Sequence, residues 1–104
     1  MSQFDIYENT NKQSSEQFPF LIEVQSDVFE SSTRSVYVPL VLSNALSNPD
    51  NTLNFEFTID DKNVRFFPLD IASAPRNVAG KRLGSLKQES DKVVAALDLL
   101  FARF

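Results

Sequence analysis

The sequence of 104 residues has no cysteine, no histidine and only two glycines. The first two absences exclude thiolate and imidazole nucleophiles, imidazole general bases, disulfide bridges and zinc sites of the usual cysteine and histidine type. The scarcity of glycine excludes a glycine-rich phosphate loop, because Gly80-Lys81-Arg82 lacks the upstream strand and glycine of such a loop. Most familiar hydrolase and nucleotide-dependent mechanisms are therefore excluded, and we expect no cofactor.

Long apolar runs are also absent. No run reaches the roughly 20 residues that span a bilayer, and the segment Met1-Ser2-Gln3-Phe4-Asp5 has neither the basic nor the apolar region of a signal peptide. A chain of this length is expected to form one domain over residues 1–104. We expect this domain to be cytoplasmic and to make no membrane contact.

The charge is acidic overall and unevenly distributed, with a formal net charge of -4. Residues 1–61 carry ten acidic and two basic side chains, whereas residues 62–104 carry four acidic and eight basic ones. The acidic total argues against strong general affinity for nucleic acid. Five basic residues either line an anion-binding face or keep the surface soluble: Arg76, Lys81, Arg82, Lys87 and Lys92.

Apolar and aromatic residues are plentiful. Hydrophobic residues make up 42% of the chain, and ten of them are phenylalanine, which predicts an aromatic-rich core. A domain of this size leaves much apolar surface exposed unless something covers it. We therefore expect a homodimer.

Several segments have the alternating or apolar character of β-strands. The clearest places Leu53, Phe55, Phe57 and Ile59 on one face, before a hairpin loop at residues 60–63. Because Pro39 cannot donate to a strand ladder, we place it at an edge or bulge. Residues 8–17 are predicted to be a mobile loop, residues 70–75 a short strand or a bend, and residues 76–84 a connection. The predicted strands cover residues 3–7, 18–24, 35–40, 53–59 and 64–67.

The C-terminal region predicts a single helix. Ser85-Leu86-Lys87-Gln88 has the form of a capping box, which predicts that the helix starts there. Apolar residues between positions 93 and 101 cover more than one stripe of this helix, so we expect one side to pack on the sheet and the other on a second subunit. The architecture expected from the residues is a mainly antiparallel sheet curled into a small barrel, with one C-terminal helix.

Polar residues give no strong indication of a chemical site. Asp60 and Asp61, with Asp50 in another turn, allow a hard-cation site to be considered, but their spacing matches no calcium loop and aspartates are common in turns. We therefore expect no metal. Acid–base chemistry without histidine would need other groups with shifted pKa values. The spacing does not require the polar candidates to meet, and they are Arg34, Ser35, Asp70 and Ser73.

Short blocks along the whole chain recur in the order and nearly the spacing of a known protein family. These blocks are Gln3-Phe4, Val24-Gln25-Ser26-Asp27, Arg34 with Val38-Pro39-Leu40, Asp70 with Ala72-Ser73 and Pro75, and Ala96-Leu97-Asp98-Leu99-Leu100-Phe101. On these residues the chain resembles the CcdB family, the toxins of plasmid and chromosomal toxin–antitoxin modules. The resemblance implies a small SH3-like barrel of antiparallel strands with a C-terminal helix, shared with toxins of the MazF type, and a homodimer.

The same resemblance implies a function and partners. Toxins of this family bind the A subunit of DNA gyrase and trap its cleaved-DNA intermediate, and they are not themselves enzymes. A cognate CcdA-like antitoxin, with a dimeric DNA-binding part and a disordered tail, wraps and neutralises them. The resemblance implies no cofactor, no membrane contact and no direct specific binding of nucleic acid.

The resemblance also assigns site residues. The best-known members end in Trp-Gly-Ile, with the Trp stacked on gyrase, whereas this chain ends in Ala102-Arg103-Phe104. That ending is either a frayed terminus or a recognition tip, because aromatic and guanidinium groups are enriched at interface hot spots. The gyrase contacts carried over from the family are Val28, Phe29, Asp98, Phe101, Ala102, Arg103 and Phe104.

Three functions remain open at this point. The first is a toxin that poisons gyrase, and the second is a homodimer that binds antitoxin without poisoning gyrase. The third is a MazF-like ribonuclease, against which the acidic charge and the missing histidine count.

Overall fold

The strand-forming segments assemble into one curled antiparallel sheet in a computed structural model, which describes residues 3–102. The strands are β1 (Asp5–Asn9), β2 (Phe20–Glu23), β3 (Arg34–Leu42), β4 (Glu56–Ile59), β5 (Lys62–Phe66), β6 (Ala72–Pro75) and β7 (Ala79–Ser85). Their order in the sheet is β4-β5-β3-β2-β1-β7, and β6 pairs with the first half of β3. This arrangement confirms the predicted mainly β fold.

The sheet curls until its two ends approach each other. Ile59 lies in β4 at one end and Gly84 in β7 at the other. The Cδ1 atom of Ile59 lies 3.2 Å from the position that a Cβ atom on Gly84 would occupy. The sheet is therefore a half-barrel whose edges are in van der Waals reach.

The inside of the half-barrel holds the main core. The helix α1 (Ser90–Phe101) covers it with Val93 and Ala96, both fully buried. Inward-facing strand residues alternate with outward-facing ones, as the period of two requires. The buried members of this core are Phe4, Ile6, Phe20, Ile22, Val38, Leu40, Phe55, Val64, Phe66, Leu86, Val93 and Ala96.

The opposite face of the sheet carries a smaller cluster. Tyr7, Leu21 and Tyr37 are buried there beneath the chain that follows β6. Two buried carboxylates, Asp5 and Glu23, lie on the same strands as this cluster. The outer face is thus partly covered and partly polar.

The hairpin of β4 and β5 confirms the most regular pattern of the sequence. Phe57 pairs with Val64, and the turn residues Asp60 and Asp61 have φ angles of 55° and 63°. Positive φ at both turn positions is the requirement of the type I′ turns that join two-residue hairpins, and aspartate tolerates it. The strand begins at Glu56, because residue 53 still belongs to a turn.

The prediction that the helix starts at Ser85 is wrong. Ser85 ends β7, and its Oγ accepts a hydrogen bond from the Lys87 backbone N–H at 3.1 Å. A 3₁₀ turn at Lys87–Glu89 follows, and α1 begins only at Ser90. The hydroxyl therefore accepts from the first backbone N–H of the 3₁₀ turn and does not cap α1.

The prediction that residues 76–84 form only a connection is also wrong. Residues Ala79–Ser85 form β7, which pairs with β1. Gly80 permits this close pairing, since a Cβ there would lie 2.7 Å from Thr10 Cγ2 and 3.3 Å from the Glu8 carbonyl oxygen. The predicted loop at residues 8–17 starts later than expected, because Glu8 and Asn9 belong to β1.

Pro39 lies inside β3, so its predicted place at an edge or bulge is wrong. It pairs with Leu21 of β2 on one side, and its carbonyl accepts from the Phe67 N–H at 3.1 Å on the other. That second side is the gap between the pairing of β3 with β6 and its pairing with β5. The gap needs no donor at this position, which is why proline is tolerated in mid-strand.

Candidate functional site

The segment after β2 presents two apolar side chains to solvent. A 3₁₀ turn at Asp27–Phe29 leaves the side chain of Val28 82% exposed and that of Phe29 58% exposed. The turn forms because the Ser26 Oγ accepts from the Val28 N–H at 3.2 Å. The side chain of Asp27 is also fixed, since its Oδ1 accepts a hydrogen bond from the Gln3 backbone N–H at 2.7 Å. The short side chains of Ser26 and Asp27 thus accept hydrogen bonds from backbone N–H groups, and this arrangement leaves Val28 and Phe29 directed outward.

Arg76, from a distant part of the chain, forms hydrogen bonds both to this segment and to a buried carboxylate. Arg76 Nη1 lies 2.7 Å from Glu23 Oε2, and both side chains are largely buried. Ser35, fully buried, donates its hydroxyl proton to the same carboxylate oxygen at 2.6 Å. The rest of the guanidinium donates to the carbonyl oxygens of Ser32, at 2.6 Å, and Phe29, at 3.2 Å. A buried acid in β2 is therefore paired with a base 53 positions later.

The far end of α1 presents a second apolar surface. Phe101, the last helical residue, is 65% exposed, and Asp98 and Ala102 are exposed beside it in sequence. The chain leaves the helix in an extended conformation at Ala102, whose N–H still donates to the Leu99 carbonyl at 3.4 Å. Among the contacts of residues 3–102, only one side of the helix is buried, because Val94 and Leu99 are also exposed. The predicted burial of a second side would have to come from another chain.

The structure places five of the seven predicted site residues on the surface, in two groups. Val28 and Phe29 form one group, and Asp98, Phe101 and Ala102 form the other. Within residues 3–102, no hydrogen bond or ion pair joins the two groups. Arg103 and Phe104 lie outside the described residues.

The polar candidates for acid–base chemistry are only partly brought together. The Arg34 guanidinium donates to Ser73 through Nε, to the hydroxyl at 3.1 Å, and through Nη2, to the carbonyl at 3.0 Å. Ser35 turns instead to Glu23. Asp70 ends a separate 3₁₀ turn at Pro68–Asp70. The contacts of Arg34 and Ser35 connect β3 to its neighbours β6 and β2, which is a structural role.

The candidate cation ligands have turn roles. The Asp50 Oδ1 accepts from the N–H groups of Thr52 and Leu53, at 2.9 and 2.8 Å, while Asp60 and Asp61 form the hairpin turn. No group of three or more acidic residues within residues 3–102 is placed to hold a metal ion. No helix in that same part of the chain is long and apolar enough to cross a membrane.

The uneven charge of the sequence is partly neutralised within the fold. Arg76 pairs with Glu23, and Arg82 Nε lies 3.1 Å from Asp5 Oδ2. In both pairs the acid comes from the acidic first part of the chain and the base from the basic second part. Of the five basic residues expected either to line an anion-binding face or to keep the surface soluble, Arg76 and Arg82 are in these two pairs, and Lys92 is in an exposed pair with Glu89.

Two tyrosines on the outer face have raised pKa values. Tyr7 and Tyr37 are each 3% exposed, and neither hydroxyl has a hydrogen-bond partner among residues 3–102. Burial, followed by the negative charges of Asp5 and Glu23, raises the pKa of Tyr7 from 10.0 to about 12. Burial, followed by the charge of Glu23, also raises the pKa of Tyr37. Both hydroxyls therefore stay neutral at physiological pH.

The stability of the fold is expected to fall as the pH rises from about 10 to about 12. The unfolded chain releases the Tyr7 proton near its ordinary pKa, whereas the folded chain keeps it up to about 12, so the stability that is complete below pH 10 is lost across this window. The loss is on the order of 3 kcal/mol for Tyr7. Urea unfolding across this range should show a smaller loss in Tyr7→Phe, which cannot ionise. Identical pH dependence in both proteins would contradict the prediction.

Comparison with known families gives this arrangement a context. A family model described as CcdB protein matches residues 3–102. The chain belongs to the CcdB family. The match spans nearly the whole chain and agrees with the half-barrel and single C-terminal helix. Membership of the CcdB family supports a function as the toxin of a toxin–antitoxin module.

Sequence reasoning missed the pair of Glu23 and Arg76. The available indication was an acidic residue inside the otherwise apolar strand segment Phe18–Val24, since a buried carboxylate almost always has a partner. Nothing in the spacing identified Arg76 as that partner. The pair belongs to the site because it connects the core to the segment that presents Val28 and Phe29.

Proposed function

We propose that this protein is a toxin that binds the A subunit of DNA gyrase and traps its cleaved-DNA intermediate. The observation that carries the proposal is the exposure of Val28, Phe29 and Phe101 in a chain of the CcdB family. These three residues fall at positions where the family resemblance places gyrase contacts.

Exposed side chains of this kind favour a binding role. Large apolar side chains that stand out from a small domain are sites of association when they are grouped. Aromatic side chains dominate the energetics of protein interfaces because they bury much area at low entropic cost. Phe29 and Phe101 are therefore the proposed anchors. Val28, Asp98, Ala102, Arg103 and Phe104 complete the proposed gyrase-binding surface.

Trapping an intermediate requires only differential binding. A ligand shifts an equilibrium by its difference in affinity for the two states. If the protein binds gyrase with cleaved DNA about 1.4 kcal/mol more tightly than gyrase with intact DNA, the cleaved fraction rises about tenfold. The bond breaking is gyrase's own chemistry, so the proposed toxin acts by binding and is not an enzyme.

The other proposed partners are a second copy of the chain and a cognate CcdA-like antitoxin. The exposed apolar side of α1, with Val94 and, two turns later, Phe101, is a surface that either partner could cover. An antitoxin that covers the end of α1 would remove Phe101 from gyrase, which explains neutralisation by simple competition. No direct specific contact with nucleic acid is needed in this proposal.

A second candidate function is a homodimer that binds antitoxin without poisoning gyrase. The observation that favours it is Ala102, a small exposed residue where well-known family members have a stacking tryptophan. Loss of such an aromatic contact costs on the order of 2 kcal/mol or more in a typical interface. Arg103 and Phe104 would have to compensate for this loss in an active toxin.

Controlled expression in bacterial cells distinguishes the two candidates. The toxin proposal predicts growth arrest together with induction of a DNA-damage reporter, because trapped gyrase leaves broken DNA. The second candidate predicts normal growth at the same level of folded protein. Normal growth and a silent reporter would therefore reject the toxin proposal in favour of the second candidate.

A further inference from the structure

We propose that Arg76 is a positioning residue that holds residues 27–33 in the conformation presenting Val28 and Phe29. The consequence for gyrase rests on the proposed function, whereas the ordering of the segment is a property of this chain alone. The proposal is carried by the hydrogen bonds that Arg76 makes to the backbone of the segment.

A single residue donates to three carbonyl oxygens of this segment. Arg76 Nε donates to the Ser32 carbonyl at 2.6 Å, and Nη2 donates to the Phe29 carbonyl at 3.2 Å. The backbone N–H of Arg76 donates to the Thr33 carbonyl at 3.1 Å. Its remaining guanidinium nitrogen, Nη1, is fixed by Glu23. All three nitrogens of the guanidinium therefore donate hydrogen bonds: Nη1 donates to the Glu23 carboxylate, and Nε and Nη2 donate to the segment.

Hydrogen bonds, and not buried apolar side chains, hold the segment. Every residue from 27 to 34 is exposed, and the 3₁₀ turn contributes no buried side chain. Apolar burial, the usual source of local stability, is therefore missing, and order depends on hydrogen bonds. Within the turn, the Ser32 N–H donates to the Phe29 carbonyl at 3.0 Å. Arg76 and Gln25 donate to that same carbonyl from outside the turn.

The contacts require arginine specifically. A guanidinium offers donors in a fixed planar fork, whereas a lysine ammonium is a single point charge on a flexible stem. A lysine at position 76 would keep an ion pair with Glu23 but could not also reach the carbonyl oxygens of Phe29 and Ser32 in the same geometry. Arg76→Lys is therefore expected to keep the charge paired with Glu23 while it removes the side-chain hydrogen bonds that order the segment.

The decisive experiment is amide hydrogen exchange in the full-length folded chain. Arg76→Lys is expected to speed exchange by about tenfold or more at Phe29, Glu30 and Ser32, whose N–H groups donate to the carbonyl oxygens of Ser26, Asp27 and Phe29. Core amides of β2 and β3 should be unchanged, which a merely structural loss of stability would not allow. Arg34→Lys is the matched control, because the Arg34 side chain binds Ser73 and not the segment.

A wild-type measurement keeps the proposal testable if Arg76→Lys does not fold. The Arg76 Nε proton should exchange at least about tenfold more slowly than that of a free arginine side chain, because it is bonded to the Ser32 carbonyl. An unprotected Nε proton would overturn the proposal. Unchanged exchange at Phe29, Glu30 and Ser32 in a folded Arg76→Lys protein would overturn it equally.

The effect of Arg76→Lys on binding to the gyrase A subunit tests the functional consequence of the proposal. If the competent conformation of the segment falls to about one tenth of molecules in Arg76→Lys, the apparent affinity for the gyrase A subunit falls about tenfold. Arg34→Lys should bind as the wild type does. Wild-type protein that fails to bind gyrase would reject the proposed function, yet the exchange data would still decide the role of Arg76.

Discussion

Replacing Phe101 by alanine is expected to weaken binding to the gyrase A subunit by about 30-fold. Phe101 is 65% exposed at the end of α1, so a partner can bury most of its ring. Truncation of an aromatic anchor in an interface costs about 2 kcal/mol, and every 1.4 kcal/mol is about tenfold in affinity. Titration calorimetry with the purified A subunit measures the change directly.

The matched control for this variant is Leu69→Ala. Leu69 is 62% exposed in the 3₁₀ turn at Pro68–Asp70 and lies outside the proposed gyrase-binding surface. Its truncation should leave the affinity unchanged, whereas Phe29→Ala should resemble Phe101→Ala. Equal effects of the Leu69 and Phe101 variants would mean that exposed apolar area matters and that the proposed surface is misplaced.

Replacing Phe66 by alanine is expected to lower the free energy of unfolding by about 3–5 kcal/mol. Phe66 is fully buried, and its ring stacks on that of Phe55 with centroids 5.0 Å apart. The surroundings cannot collapse easily, because the Phe66 carbonyl also accepts from the Asn54 side-chain amide at 3.1 Å. Such a loss is a large part of the total stability of a domain of this size.

Phe101→Ala is the natural comparison for this stability prediction, since it deletes the same atoms from an exposed position. Urea unfolding followed by far-ultraviolet circular dichroism should show almost no change for Phe101→Ala, as expected for a surface substitution. The two phenylalanine variants therefore separate stability from binding. A loss below about 1 kcal/mol for Phe66→Ala would contradict the assignment of Phe66 to the core.

Local patterns of the sequence predicted the regular elements well. The alternation of Phe55, Phe57 and Ile59 was enough to identify the hairpin and its inward face, because all three pack in the core. The length and apolar content of the C-terminal region identified the helix. These features depend on residues close together in the chain, which sequence periodicity describes directly.

The missed elements depend on distant neighbours. β7 contains two glycines and reads as a loop, and only its pairing with β1 makes Gly80 favourable there. Pro39 is tolerated in mid-strand because two other strands leave a gap beside it. Ser85 has the residues of a helix cap but completes a strand first. In each case tertiary contacts override a local preference.

The candidate site also has one part that the sequence indicated and one part that depends on distant contacts. The exposure of Val28, Phe29 and Phe101 agrees with positions that the family resemblance assigned. The guanidinium of Arg76 beneath Phe29 was beyond sequence reasoning, since its partner Glu23 is 53 positions away. The resemblance suggests which residues to test as the gyrase-binding surface, and the structure shows the hydrogen bonds that Arg76 makes to the segment carrying two of them.

The most direct test of the central claim is the accumulation of cleaved DNA by gyrase. Purified protein is mixed with gyrase, ATP and supercoiled plasmid, and the reaction is stopped with detergent and protease. The proposed function predicts linear plasmid that increases with the dose of protein, and much less of it with Phe101→Ala. No linear plasmid at saturating concentrations of folded wild-type protein would contradict gyrase poisoning.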